Sequence, residues 1–431
     1  MSKIEILKGN IIHAPVFGAL EVLADGYIVL KDGVIEGLFR ELPEEFSAGD
    51  VTDYADKLIV PSFSDMHLHA PQYPQLGMGL DLQLLEWLQK YTFVTEARFS
   101  DTEYAKRVYS KLAGNLVMNG TTRVSAYSSL HREATLVLMD ELEKSGITGY
   151  VGKVNMDRNS PDNLRETTEE SLRETRIWIE ESLKRFKNIK PIITPRFTPS
   201  CSNKLMEGLG KLAAEYGLPV QSHLSENVDE VNWVKELHPD CEEYWQTYDK
   251  YGLFGSRTLM GHCVYSSKTE RAAMKRNGVW VVHNPDSNIN IASGVASVRI
   301  MLNEGLNVVL GSDIAGGASL SMMRIITGAI KTSKRNWLLT DKKEPFLTVA
   351  EAFYLATSAG ARYFGVGPGF AKGDKLHALV LDDSAFPETL HSDPAQRLER
   401  ILYMGDDRQI KERYSEGVRL QAEECGCKSA L

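Results

Sequence analysis

The chain has 431 residues, which is too long for one small hydrophobic core but suits a large barrel with a smaller attached domain. A hydrophobic content of 43% and a charged content of 25% are ordinary for a globular protein. The formal charge of −9 and the scattered Lys and Arg residues argue against a nucleic-acid partner, because such proteins concentrate basic residues to neutralise phosphates.

Two further features predict the cellular compartment. No apolar run reaches the length of about 18 residues that a membrane helix needs, and the amino terminus MSKIEILKGN lacks the hydrophobic segment of a signal peptide. The five cysteines are an odd number without the spacing of a disulfide framework, and the C-x-C pair Cys425 and Cys427 is more typical of a mobile carboxyl terminus than of a metal site. We therefore expect a reduced, cytoplasmic protein with no membrane partner.

The two ends of the chain have the pattern of a small β-domain. Residues 1–57 alternate short apolar runs with turns, as in YIVLKDGVIEGLF with Lys-Asp-Gly at its centre. Residues 365–431 begin with Gly-rich turns and a strand, in GVGPGFAKGDKLHALVLDD. These segments are predicted to form one composite β-domain.

Between them, residues 58–364 alternate strand-like runs with helical patterns such as NLRETTEESLRETRIWIEESLKRF. This alternation is typical of βα units and a parallel sheet. The strand-like runs are LIVPSFSDMHLH, TTRVSAYSS, TGYVGKVN, IKPIITPRF, LPVQSHLSE, RTLMGHCVYSS, GVWVVHNPDSN and NVVLGSDIAGG. Because a TIM barrel has the same number of strands, the predicted fold class is α/β, with a TIM (β/α)8 barrel as the catalytic domain.

The first run ends in DMHLHAPQ, which places His67 and His69 two residues apart. Side chains at i and i+2 of a strand point to the same face, so the two imidazoles are predicted to project together. A metal site is one interpretation of this pair, since His is the commonest metal ligand. A chance pair or two hydrogen-bonded core histidines is the alternative.

Three more polar residues stand at the ends of other runs: His223, His262 and Asp313. Because the active site of a TIM barrel lies at the carboxyl ends of its strands, all of these side chains are predicted to meet at one mouth. Each alone has a simpler interpretation as a core histidine or, for Asp313, a helix cap. Their agreement favours a metal site of imidazoles and a carboxylate, which suits Zn²⁺ or Fe²⁺ with one position open for water.

Glu226 follows His223 by three residues, in HLSE. From the end of the fifth strand it can reach a metal-activated water and exchange protons with it. The alternative interpretation is a first-turn helix residue favoured by the helix dipole.

These positions together resemble the amidohydrolase superfamily, and the match spans essentially the whole chain. The resemblance implies hydrolysis of a C–N or similar bond at a metal. Within the superfamily the chain is most similar to the guanine deaminase family. That similarity rests on HLHAPQ in the first run, LLEWLQKYTF after it, TPRFTPSCS at the fourth run and HNPDSN at the seventh.

The resemblance implies the metal and the catalytic residues. One Zn²⁺ per chain is expected, with Fe²⁺ as the alternative ion. The implied metal ligands are His67, His69, His223 and Asp313. Glu226 is implied as the proton shuttle, Asp313 as an assisting base, and His262 as the residue that orients the attacking oxygen.

The resemblance also implies the substrate contacts and the partners. Guanine is the expected substrate, and a homodimer is the expected assembly. Gln72, Arg196 and Phe197 are implied to bind the purine, together with His69 from the metal set. Trp87 is added as a wall of the pocket, although an aromatic residue four positions from Tyr91 is more often part of a core.

Several positions depart from the family pattern. Val94 and Thr95 stand where Pro is usual, Arg123 stands where a small or hydroxyl residue is common, and Asn284 replaces a frequent Cys. None is an implied ligand, so these departures are expected to affect the rim of the site and substrate tuning rather than the reaction class.

Two other functions stay open at this point. The first is a deaminase or hydrolase of another aminated or chlorinated heterocycle, such as 8-oxoguanine, a pterin or a triazine. The second is a non-catalytic scaffold, which predicts missing ligands, and none is missing. The zinc deaminase type with a P-C-x-x-C motif is excluded because that motif does not occur.

Overall fold

The computed structural model describes residues 3–340, 342–390 and 393–420; Cys425 and Cys427 lie outside these ranges. The strands, in chain order, are β1 (Ile4–Val16), β2 (Ala19–Lys31), β3 (Val34–Phe39), β4 (Asp50–Pro61), β5 (Phe63–His69), β6 (Thr121–Tyr127), β7 (Thr148–Gly152), β8 (Val154–Asn155), β9 (Ile189–Pro191), β10 (Thr194–Pro195), β11 (Val220–Leu224), β12 (Thr258–His262), β13 (Trp280–His283), β14 (Asn307–Leu310), β15 (Ala378–Leu381), β16 (Ile410–Ser415) and β17 (Val418–Arg419).

The α-helices are α1 (Leu84–Trp87), α2 (Phe93–Ala97), α3 (Thr102–Met118), α4 (Arg132–Lys144), α5 (Thr168–Arg185), α6 (Asn203–Tyr216), α7 (Val228–Leu237), α8 (Gln246–Asp249), α9 (Lys268–Asn277), α10 (Pro285–Asn290), α11 (Val298–Asn303), α12 (Met322–Leu339), α13 (Val349–Ala356), α14 (Ser358–Tyr363) and α15 (Pro394–Met404). Short 3-10 turns lie at Glu44–Phe46, Ala70–Gln75, Arg98–Ser100, Asp162–Leu164, Thr198–Ser200 and Asp407–Gln409. Within the described ranges, no helix is both long enough and apolar enough to cross a membrane.

The two ends of the chain form one seven-stranded sheet, in the order β17-β16-β15-β4-β1-β2-β3. Its neighbours are antiparallel except for β1 and β4, which run parallel. Asp32 and Gly33 join β2 to β3 with positive φ at both residues, as a tight hairpin turn requires. The sheet agrees with a composite β-domain. The domain limits at residues 57 and 365 stay a prediction, since β4 continues to Pro61.

The barrel consists of two four-stranded parallel sheets, β5-β6-β7-β9 and β11-β12-β13-β14. On one side, a parallel bridge between Ile193 and Val220 connects them. On the other, the Asp313 N–H donates to the His67 carbonyl over 2.7 Å, and the His69 N–H donates to the Ile314 carbonyl over 3.0 Å. Each strand-like run of the sequence contains a barrel strand, and the predicted TIM barrel is confirmed.

Helix α5 shows how the outer helices pack on the barrel. Its buried residues, including Thr175, Ile179 and Ser182, recur at helical spacing and give the helix one inward face. The helix begins later than the helical pattern in the sequence, because the Thr167 side chain caps it by accepting from the Glu170 N–H.

A helical segment at residues 84–97 covers the carboxyl ends of the barrel strands, and we call it the cap segment. It consists of α1, a single π turn at Leu88–Thr92, and α2. Isolated π turns inside helices are frequent at functional sites. The cap segment packs its apolar side chains on residues of the barrel mouth, and this cluster contains Leu84, Trp87, Leu88, Phe93, Tyr127, Val154, Met156, Leu164, Ile291 and Ala315.

Candidate active site

Four donor atoms converge at the carboxyl ends of the barrel strands. The Nε2 atoms of His69 and His223 lie 3.1 Å apart. Asp313 Oδ1 lies 3.3 Å from His67 Nε2 and 3.5 Å from His69 Nε2. Atoms bound tetrahedrally to one zinc ion at about 2.1 Å are themselves about 3.4 Å apart. The three distances are close to that value, and the donors form two groups that share His67, one with His69 and His223 and the other with His262 and Asp313.

The protonation of the three histidines also suits a metal. Burial lowers the pKa of His67, and it lowers the pKa of His69 and His223 well below the usual value, so the imidazoles are neutral. His223 Nδ1 lies 2.6 Å from the Arg196 carbonyl and donates its hydrogen there, which leaves the Nε2 lone pair directed into the site. Among the described residues, the buried His67 Nε2 has no hydrogen-bond partner. A metal ion would satisfy it.

Asp65 lies next to this cluster and holds two of its strands together. It was not among the predicted site residues. Its carboxylate accepts the Ser312 N–H over 2.9 Å and the Ser312 hydroxyl. Burial raises the pKa of Asp65 to about 6, and the hydrogen bonds from Ser312 oppose that effect. Because Asp65 stands two residues before His67, its contacts with Ser312 align β5 with the chain that follows β14.

The strand ends at the site have unusual backbone conformations. Ser225, His262, Cys263 and Asp313 are non-glycine residues at φ of 48°, 71°, 50° and 49°. Such conformations are uncommon for residues with a side chain and concentrate at ligand-binding sites. Each of these residues ends or closely follows a barrel strand, where the turn directs side chains across the barrel mouth.

Glu226 lies on the loop after β11, close to His262. Its Oε1 atom is 3.5 Å from His262 Nδ1 and 3.4 Å from the Ser293 hydroxyl. Burial raises the pKa of Glu226 well above its usual value, and the negative charges of Glu230 and Asp313 add to the effect. A raised pKa suits a carboxylate that takes up a proton and returns it during a reaction.

The alternative interpretation of Glu226 as a first-turn helix residue is wrong. Helix α7 begins at Val228, and Asn227 is its N-cap. The carboxylate of Glu230 completes the capping box, and it also accepts the Glu226 N–H over 2.8 Å. The helix therefore fixes the Glu226 backbone and leaves its side chain to face the site.

Gln72 and Arg196 meet through a residue that the sequence analysis missed, Glu96 in the cap segment. Arg196 Nη1 and Nη2 donate to the two Glu96 carboxylate oxygens over 2.6 and 3.0 Å. Gln72 Nε2 donates to Glu96 Oε1 over 2.9 Å, and Gln72 Oε1 accepts the Ala315 N–H over 3.2 Å. Glu96 thus fixes the orientation of both side chains.

One cavity brings the predicted substrate contacts and the metal cluster together. Its lining includes His69, Gln72, Trp87, Arg196, Phe197, His223, Glu226, His262 and Asp313. Phe197 is buried beside the site, and the Trp87 Nε1–H donates to the Met78 carbonyl over 3.1 Å, so its ring is held in place. Trp87 belongs both to the packed cluster of the cap segment and to the cavity wall.

Comparison with known families gives this arrangement a context. The sequence profile described as amidohydrolase family matches residues 58–419. The chain belongs to the amidohydrolase family. The resemblance seen in the sequence is confirmed, and a divalent metal fits both this amidohydrolase and its His and Asp cluster.

Several known proteins are similar to this amidohydrolase over nearly its full length. A crystal structure of guanine deaminase from C. acetobutylicum with bound guanine in the active site is 47% identical, with a TM-score of 0.95, and covers 97% of this chain and 100% of that chain. The guanine deaminase of Dictyostelium discoideum is 35% identical over 97% of this chain and 98% of its own length. A triazine hydrolase from Arthobacter aurescens, at 16% identity and a TM-score of 0.86, shares the fold alone.

The departures from the family pattern occupy different places in this amidohydrolase. Val94 is exposed on the cap segment, with 64% of its surface accessible. Asn284 is buried directly after β13, at the start of α10. Arg123 stands opposite Thr148, the first residue of β7, at the amino-terminal end of the barrel. The expectation that Arg123 shapes the rim of the site is therefore wrong.

Proposed function

We propose that this amidohydrolase converts guanine and water to xanthine and ammonia, with one Zn²⁺ per chain. The observation that carries the proposal is one cavity in which three of the predicted metal ligands meet Glu226 and the Gln72 and Arg196 pair, with the fourth ligand, His67, clustered beside them. The guanine deaminases that resemble the chain over nearly its full length support the same activity.

The metal would be held by His67, His69, His223 and Asp313, and His67 belongs to both groups of clustered donor atoms. Zn²⁺ bound there would lower the pKa of a water molecule to about 7, and Fe²⁺ accepts the same ligands. The remaining steps belong to side chains of the protein.

Deamination requires the water oxygen to bond to C2 of guanine and the bond from C2 to the amino nitrogen to break. Glu226 takes one proton from the water and delivers it to the ring nitrogen beside C2. Asp313 accepts the second water proton as the oxygen on C2 becomes the carbonyl, and this proton passes to the amino group, which leaves as ammonia. The His262 Nδ1–H donates to Asn288 Oδ1 over 2.8 Å, so His262 Nε2 can accept a hydrogen bond from the water and orient it.

Recognition of the purine rests on donors that the Glu96 contacts leave free. Each Arg196 Nη has a second N–H, which can donate to the carbonyl oxygen at C6 of guanine. Gln72 keeps one amide N–H for the ring edge. Phe197 and Trp87 supply apolar walls, and His69 borders the ring from the metal side.

A guanine assay tests the proposal directly. We expect loss of guanine to be accompanied by an equal amount of ammonia, and loss of guanine without ammonia would contradict deamination. A panel of 8-oxoguanine, a pterin and a triazine, scored by ammonia release, tests the other heterocycles. Elemental analysis identifies the ion, and a protein with no bound metal and no response to added zinc or iron would support the scaffold instead.

Two further properties are proposed from the resemblance alone. A homodimer predicts that light scattering gives twice the chain mass of 48.1 kDa. A cytoplasmic location predicts that activity appears in the soluble fraction of lysed cells without release from an outer compartment.

The role of Arg196 can be tested by substrate discrimination. Arg196→Ala should lower kcat/KM for guanine by roughly 10- to 150-fold, the equivalent of about 1.5–3 kcal/mol for a charge-assisted hydrogen bond. 2-Aminopurine lacks the oxygen at C6 and should lose far less. The measurement is kcat/KM for both substrates in wild type and variant.

Glu96 requires a matched second variant, because Arg196→Ala leaves its carboxylate buried without a cation. The double substitution Arg196→Met with Glu96→Gln removes both charges together. In the double variant, kcat/KM for guanine should again fall far more than kcat/KM for 2-aminopurine, as in Arg196→Ala. An equal fall for both substrates in both variants would show that Arg196 supports the barrel mouth and does not bind the carbonyl.

A further inference from the structure

A second cavity lies at the opposite end of the barrel from the active site. It has a volume of about 420 Å³ and lies between the amino-terminal ends of β6 and β7 and the composite sheet. Six charged side chains line it, and they are Arg123, Lys187, Lys190, Asp374, Lys375 and Glu416.

Arg123 is the buried residue of this cavity, with only 6% of its surface accessible. Its guanidinium makes no hydrogen bond or ion pair with any residue in the described ranges, although a buried cation is normally paired. Burial lowers the pKa of Arg123 to about 10, with Glu416 and Asp374 opposing the effect from a distance. The side chain therefore stays charged at neutral pH, and Glu416 and Asp374 attract it without a direct ion pair.

The neighbouring charges do not pair directly with Arg123. Asp374 Oδ2 accepts the Gly367 N–H over 2.8 Å, and Glu416 Oε1 lies 3.1 Å from His377 Nε2. Lys190 and Lys375 each donate to one backbone carbonyl and keep further N–H groups.

The lining therefore has an excess of positive charge. Arg123 and the three lysines are four cations against the two carboxylates of Asp374 and Glu416. Lys187 and Lys375 are exposed at the rim, while Arg123 lies at the floor of the cavity. This arrangement suits a ligand with about two negative charges, which is the charge of hydrogen phosphate or a phosphate monoester near neutral pH.

We propose that this cavity binds a phosphate group, either free or on a small sugar phosphate, with Arg123 as its bidentate donor and the lysines at the rim. A planar guanidinium matches two phosphate oxygens, and the rim lysines add charge attraction. The proposal is independent of the guanine reaction, since the cavity shares no lining residue with the active site.

The experiment is thermal unfolding and calorimetric titration of the intact protein with inorganic phosphate, at constant ionic strength in chloride. We expect a saturable rise in Tm for the wild type and binding of one phosphate per chain. Arg123→Met should abolish the saturable rise and weaken binding at least tenfold. Without phosphate, the variant should be no less stable than wild type, because the substitution removes a buried unpaired charge.

Two matched variants distinguish phosphate binding at this cavity from non-specific attraction to positive charge. Arg40→Gln removes one positive charge from an exposed arginine that has no described ion pair, and it should bind phosphate as wild type does. Glu416→Gln removes a competing carboxylate and should strengthen binding. If Arg123 instead relies on Glu416 as its counterion, Glu416→Gln would lower stability without strengthening phosphate binding, and the proposal fails.

A general salt effect would also overturn the proposal. Phosphate stabilises many proteins by exclusion from their surface, so an equal rise in Tm for wild type and Arg123→Met would show that no site exists. Should Arg123→Met fail to fold, Lys187→Gln provides the same test at the rim, with weaker binding expected and unchanged binding contradicting the site. Titration with ribose 5-phosphate distinguishes the two possible ligands. Tighter binding than inorganic phosphate indicates a phosphate monoester, and equal or weaker binding indicates the free ion.

Discussion

Replacing Glu226 by Gln is expected to lower kcat for guanine by roughly 10²–10⁴-fold, the usual contribution of general acid–base catalysis. The amide keeps the shape of the side chain and its contact with the Ser293 hydroxyl, but it cannot take a proton from water and deliver it to the ring. Binding of the metal should not change, because Glu226 is outside the predicted ligand set. Steady-state turnover and elemental analysis of the same preparation measure both effects.

The control for this variant is Glu236→Gln, which makes the same chemical change at an exposed position of α7. It should turn over guanine at the wild-type rate. Near-normal turnover in Glu226→Gln would remove Glu226 from proton transfer. Loss of the metal together with activity would instead make Glu226 a structural support of the metal site.

The second large effect is expected for His223→Ala, which should lose most of its metal and with it the activity. His223 offers one of the clustered donor atoms, and its ring is already oriented by the Arg196 carbonyl. Changes in residues that only orient a ligand typically cost 10–100-fold in metal affinity or activity, so loss of a ligand itself should exceed about 100-fold. Elemental analysis and turnover at increasing Zn²⁺ concentration are the measurements.

His131→Ala is the matched control, because His131 precedes α4 and belongs to neither of the described metal-donor groups. It should keep both metal and turnover. If His223→Ala retained about one ion per chain with normal activity, the predicted ligand set would be wrong. Recovery of activity at high Zn²⁺ concentration would agree with weakened binding.

Much of the site follows from the sequence because of one geometric rule. In a parallel barrel the carboxyl ends of all strands meet, so the sequence alone places His67, His223, His262 and Asp313 together. The observed donor spacings agree with that placement. The tight turns at positive φ that direct these side chains are set by packing around the barrel, and no local pattern in the sequence marks them.

Glu96 shows where sequence reasoning stops. It is separated from Gln72 by 24 residues and from Arg196 by 100, and these three side chains meet only when the cap segment folds over the barrel. A single Glu in a helical segment has the pattern of an exposed residue, whereas its side chain is 2% accessible. The prediction for Arg123 was wrong for a different reason. A departure from a family motif does not reveal at which end of a strand the residue lies, and Arg123 lies at the amino-terminal end of β6.

The pairing of β4 with β15 affects how the chain folds during its synthesis on the ribosome. β4 ends at Pro61, yet its partner begins at Ala378, so more than 300 residues are synthesised between the two. At about 5–20 residues per second, the edge of β4 is without this partner for roughly 15 to 60 s. An unpaired edge strand is a template for association with other chains. We therefore expect chaperones to bind the exposed edge of β4 in the nascent chain until β15 is synthesised and pairs with it.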